Sequence, residues 1–146
     1  MRMAFLLLAL YPRRADLQRL TLLDYAVIYS ADLGGPTSLH TPLPLRGTEY
    51  VSRRAIIEEG LYVMTMKSVV DVTADSDGVY YLAGEEAAAL VGFLSGDYVV
   101  ALKDRCDWVA REFGNIGDEE LARIFQEQSL QWGAELLMHE GTGAYQ

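Results

Sequence analysis

Three residues near the junction of two helical patterns could do chemistry together: Asp24, His40 and Arg46. A carboxylate can hold an imidazole in one tautomer for proton transfer, and a guanidinium beside them can bind an anionic group. A small enzyme built on these three is one reading of the chain. Other chemistry is thinner. Gly34-Gly35-Pro36 lacks the lysine and serine of a phosphate loop and follows no strand signal. His40 and His139 with Cys106 do not make a zinc site. Asp75 and Asp77 lack the later ligands of a calcium loop and read as a turn. No serine sits in a nucleophile elbow with a plausible base. The motif search yields no catalytic residue, no cofactor site and no metal site.

The elements that would position these residues give Asp24 a structural role instead. From Asp16 to Tyr29, the residues Leu17, Leu20, Leu23, Val27 and Ile28 gather on one side of a helix, and Asp24 falls inside that stripe. A carboxylate there is costly unless paired or hydrogen-bonded. A second helix, Glu49 to Lys67, carries a stripe of Tyr50, Ile57, Leu61 and Met64, with Arg53 and Arg54 on its borders. The spacing predicts an ion pair of Asp24 with Arg46, Arg53 or Arg54 that pins the two helices. The loop from Ala31 to Thr48 is long for a compact domain. Its leucines and three prolines predict an ordered segment lying over the pair, with His40 hydrogen-bonded as a packing residue.

Around this stretch the chain reads as one mainly α domain with a small β-hairpin. Ala4 to Tyr11 is a short apolar helix that Pro12 ends. Its basic start mimics a signal peptide, but no convincing cleavage site follows, and the run is far shorter than the roughly 20 residues of a membrane span. Val69 to Leu82 forms a hairpin around Asp77-Gly78. Helices follow over Glu85 to Leu94, from Tyr98 to Phe113, and from Asp118 through Leu121, Phe125, Trp132 and Leu136. Three helices, a hairpin and further helices give the order of a winged helix-turn-helix core with a helical C-terminal extension. The domain is expected over residues 1–140, with 141–146 a flexible tail.

Charge then narrows the partners. The net charge is −9 and the isoelectric point is about 4.6, which repels phosphate backbones. The supposed wing carries Asp71, Asp75 and Asp77, and the third helix Glu58 and Glu59. Protein contacts therefore fit this winged fold better than DNA, against the rival reading as a transcriptional regulator. Nine tyrosines and two tryptophans favour interfaces. A single cysteine, Cys106, excludes an internal disulfide, fits a reducing cytoplasm and reads as a small core residue.

The wording of several segments resembles one family. Asp16-Leu-Gln-Arg-Leu with Leu23-Asp-Tyr25, the run Gly34-Gly-Pro-x-Ser-Leu-His40, Pro44-x-Arg46, and Arg53-Arg-x-Ile-Ile-x-Glu-Gly-Leu61 carry the likeness. It continues through Gly78-x-Tyr-Tyr81, Tyr98, Leu102, Arg105, Trp108, Phe113-Gly114, Asp118-Glu-Glu-Leu121 and Trp132-x-x-Glu135. These are similar to the middle component, type two, of bacterial ABC-three-component defence systems. Tyr29 stands where the family often has histidine, and Ala31 where it often has glycine. The resemblance implies a non-enzymatic adaptor between a Rad50- or SMC-like ATPase and an effector, often a nuclease, in Lamassu-like anti-phage systems. It also implies that nucleic acid is met only through the complex, and it leaves self-association open. No catalytic residue carries over, because the family offers none.

Overall fold

A computed structural model describes residues 1–40 and 46–128, with backbone alone over 46–51. Along it run α1 (Arg2–Leu10), α2 (Leu17–Ile28), a 3-10 turn (Ser30–Leu33), α3 (Arg46–Met66), β1 (Val70–Asp75), β2 (Gly78–Ala83), α4 (Ala87–Phe93) and α5 (Asp97–Phe113). Residues 118–128 are again helical. The described residues are mainly helical with one two-stranded antiparallel hairpin, the mainly α class with a small hairpin read from the sequence.

The apolar run near the start is the hub. Met3, Ala4, Phe5, Leu6, Leu7 and Leu10 are all buried, and α1 touches α2, α3, α4, α5 and β2. A helix apolar on most of its circumference must be enclosed by several neighbours, and α1 is. It begins at Arg2, earlier than the apolar run alone predicts, so a charged side chain belongs to the hub helix. No helix among the described residues is long and apolar enough to cross a membrane.

Asp16 caps α2 as its position predicts: its carboxylate accepts from the Arg19 N–H at 2.8 Å. Every residue from Leu20 to Ile28 is buried, a wider contact than one stripe requires, because α2 lies between α3 and α5. Just before it, Ala15 exchanges two backbone hydrogen bonds with Tyr81 of β2, at 3.0 and 2.8 Å. This single residue acts as a third, minimal strand on the hairpin.

The hairpin pairs Val70 with Ala83 through to Asp75 with Gly78. At the turn, the Asp77 N–H donates to the Asp75 carboxylate at 2.8 Å, so these aspartates serve the turn. The chain leaves β2 by bonding Gly84 N–H to Val69 O and Glu86 N–H to Ser68 O, at 2.8 and 2.9 Å. Those bonds delay the next helix to Ala87, past the Glu85 start expected. Helix α5 buries Leu102, Cys106, Val109, Ala110 and Phe113 against α1 and α2. Expectations for Trp132, Leu136 and the tail lie outside the described residues.

Candidate functional site

The Asp24 carboxylate is fully buried in the α2 stripe and is held from two sides. Arg53 of α3 donates from Nη1 to Oδ2 at 3.0 Å, and Arg2 of α1 donates from Nε to Oδ1 at 3.0 Å, with a longer contact from Nη2 at 3.4 Å. One carboxylate therefore ties three helices. Arg53, only 8% exposed, also lies over the Tyr29 ring, its Cζ 5.9 Å from the centroid. Arg54 is exposed on α3 and is not one of the two guanidiniums on Asp24. The side chain of Arg46 lies outside the described residues. Burial pulls the pKa of Arg2 down, but the hydrogen bond and charge of Asp24, helped by the Tyr98 hydroxyl, outweigh it and the net direction is up.

The motif segment leans on α5. Ser30 donates from its hydroxyl to Pro36 O at 2.8 Å, and Ser38 accepts from the Ala31 N–H at 3.1 Å, folding the segment on itself. Leu39 N–H returns to Ile28 O at 2.9 Å. Gly34 has φ of 79°, a left-handed conformation that favours glycine. At Gly35 the reason is proximity: a Cβ would collide with the ring of Trp108. Arg105 donates from Nε to Thr37 O at 2.7 Å, and His40 Nε2 meets the Tyr98 hydroxyl at 3.2 Å. Tyr98, Arg105 and Trp108 thus receive the segment along one side of α5.

His40 and Asp24 are not in direct contact: His40 meets Tyr98, and Asp24 meets Arg2 and Arg53. Sequence reasoning missed Arg2, because a lone charge ahead of an apolar run resembles a targeting signal. The α5 docking residues were visible as members of the family pattern but had no partner. Their spacing of seven and then three residues, from Tyr98 to Arg105 to Trp108, is the signal that they share a helix face.

Chemically the arrangement braces. The Asp24 side chain is 1% exposed, and both of its oxygens are held by arginines. Cys106 is buried nearby, and burial first, then the charge of Asp24, pushes its thiol pKa up, away from nucleophilic use. Among the described residues no cluster of three histidine, cysteine or acidic side chains could hold a metal. A cleft of about 230 Å³ opens between α1, α3 and the start of α5, with Met3, Ile56, Gly60, Met64 and Tyr98 on its walls and the Arg2–Asp24 pair beneath.

A second arginine does similar work elsewhere. Arg19 donates to Phe113 O at 2.9 Å and Ile116 O at 2.6 Å, and to the Asp118 carboxylate at 2.9 Å. It thereby closes the end of α5 and sets the start of the 118–128 helix, with the last carbonyls of α5 as acceptors.

A family model described as ABC-three component (ABC-3C) system Middle Component 2 matches residues 1–135. The chain belongs to this family. The match includes all the residues just described, so the Asp24 cluster and the Gly-Gly-Pro segment are parts of a middle component 2 subunit. Such a subunit belongs to a multi-component system and works with other subunits. Comparisons with curated proteins and with solved structures give no match.

Proposed function

We propose that the chain is a non-enzymatic adaptor that links a Rad50- or SMC-like ABC ATPase to an effector, often a nuclease, in a Lamassu-like anti-phage system of the bacterial cytoplasm. One observation carries this reading furthest. The segment with the most distinctive family wording directs its polar groups into its own chain: Ser30, Ser38, Thr37 and His40 all bond within it or to α5. A motif engaged in this way holds a shape for partners to recognise. The alternative enzyme reading has less behind it, since the Asp24 carboxylate is buried and both of its oxygens are engaged by guanidiniums.

The order α1, Ala15 strand, α2, α3, β1, β2 supports a winged-helix core, with α3 in the place of a recognition helix. Glu58 and Glu59 of α3 and Asp71, Asp75 and Asp77 of the hairpin are exposed, so this core is turned to protein. The test is co-expression with the neighbouring ATPase and effector subunits, followed by size exclusion. Co-elution is expected. A nanomolar, sequence-dependent DNA shift by the chain alone would favour a regulator instead.

A further inference from the structure

Helix α3 has two apolar faces, and the described chain covers one. Arg53, Ile57, Leu61 and Met64 face inward. On the other side Ala55, Ile56, Glu59, Tyr62, Val63 and Met66 recur at spacings of three and four and are all exposed. Ile56 is 67% exposed, Tyr62 66%, Val63 45% and Met66 73%. A helix apolar on both sides is expected to be enclosed on both. The outer stripe spans about 17 Å of axis at about 1.5 Å per residue, close to three turns.

Gly60 points the same way. Glycine is the poorest ordinary residue for a helix interior, yet Gly60 sits well inside α3. A Cβ there would meet nothing within 4 Å, so no described neighbour requires its absence. A bare backbone beside an apolar stripe lets a second backbone approach closely. Gly60 and Ile56 also border the cleft toward α1, which gives one side of the stripe a recess for a bulky side chain.

Charge selects the occupant. Glu59 is the one charged residue within the stripe, with Lys67 just past the end of the helix. A twofold pairing with a second copy centred on this stripe, between Glu59 and Tyr62, would set two Glu59 carboxylates close together in apolar surroundings, between chains of net charge −9. A partner that supplies a cation meets neither obstacle. We infer that the outer face of α3 docks an amphipathic helix of another subunit, apolar on one side and carrying a lysine or arginine that meets Glu59. This inference rests on the adaptor reading and adds the surface and the chemistry of its partner.

The test uses the full chain with the full-length ATPase and effector subunits. Co-purification is measured for wild type, for the Ile56→Glu, Val63→Glu double variant, for Glu59→Lys and Glu59→Gln, and for Phe93→Glu, which alters an exposed apolar residue on α4. A photo-crosslinking side chain at position 63 then identifies the neighbour by mass spectrometry. The double variant is expected to lose roughly tenfold or more in affinity, as for a central contact, while keeping the wild-type melting curve. Glu59→Lys should bind more weakly than Glu59→Gln, Phe93→Glu should bind like wild type, and the cross-link should fall on a basic amphipathic helix of one subunit. Wild type that binds neither subunit overturns the adaptor reading and this inference together. Wild-type binding that survives the α3 variants overturns the surface alone, as does a cross-link to a second copy or to residues 129–146 of the same chain. Should the double variant fail to fold, the order of the two Glu59 variants decides.

Discussion

Two ion pairs in this molecule share one geometry and differ in their setting. Arg53 meets Asp24 at 3.0 Å with side chains 9% and 1% exposed. Arg14 meets Asp75 at the hairpin turn, also at 3.0 Å, with side chains 46% and 40% exposed. Distance alone would rank them equal. At the hairpin, water solvates both charges and salt screens them, so the bond adds little. Inside, the partners have already lost their water, so removing one strands the others. Surroundings, rather than bond length, set the consequence.

The comparison is broken most directly at its buried end. Asp24→Ala leaves Arg2 and Arg53 without their shared carboxylate and is expected to lower stability by about 3–5 kcal/mol in chemical denaturation. Asp24→Asn keeps hydrogen-bonding capacity and should lose less. Cys106 gives an independent readout of the same interior: its buried thiol should react with a maleimide only when the native structure opens, and Asp24→Ala should speed that labelling. If Asp24→Ala denatures like a Glu86→Ala surface control, the weight placed on burial is wrong.

Gly35→Ala sharpens the same point without removing any bond. The added methyl collides with the Trp108 ring, so the segment or the ring must shift, at a cost of roughly 1–3 kcal/mol as in overpacked cores. Thermal melting together with tryptophan fluorescence would register both the loss and the displaced ring. Unchanged melting would mean that the segment rests loosely on α5.

The smallest effect belongs to the exposed pair. Hydrogen bonding from the Asp77 backbone first, and Arg14 beside it, holds the Asp75 carboxyl below its ordinary value. A depressed carboxyl stabilises the fold above its unfolded pKa, and that contribution fades as pH falls through the lower folded value. Asp75→Ala should therefore differ slightly from wild type at neutral pH, and the two should converge in acid below about pH 4. Raised salt should shrink the part due to Arg14. A large, salt-insensitive loss would put this pair with Asp24.

The buried carboxylate was legible because a single acid interrupts an apolar stripe, and Arg53 because it borders the facing stripe on the next helix. Arg2 was hidden by its place at the head of α1, where nothing local marks its direction. The docking of the Gly-Gly-Pro segment was hidden for a different reason. Its contacts use the carbonyl of Thr37 and the bare Cα of Gly35, neither of which identifies a partner on α5, as with Arg105, 68 positions along the chain. The hairpin's two strands were readable, but its register was not: an Asp77-Gly78 turn would pair Ser76 with Val79, whereas Ser76 and Asp77 make the turn and Asp75 pairs with Gly78. The start of α4 was misplaced because backbone bonds to Ser68 and Val69 hold Gly84 and Glu86 out of the helix.

The packing of α1 against α5 also bears on how the protein is made. About ninety residues separate the two helices, so the most apolar segment leaves the ribosome long before one of its main covers exists. Closing so distant a contact is slow compared with forming local helices. Until α5 is synthesised, the leucines of α1 offer a sticky surface to chaperones and to other nascent chains. Truncation within α5 should yield an aggregating product that is cleared by proteolysis. The supply of a whole assembly would then depend on how quickly this one subunit finishes folding.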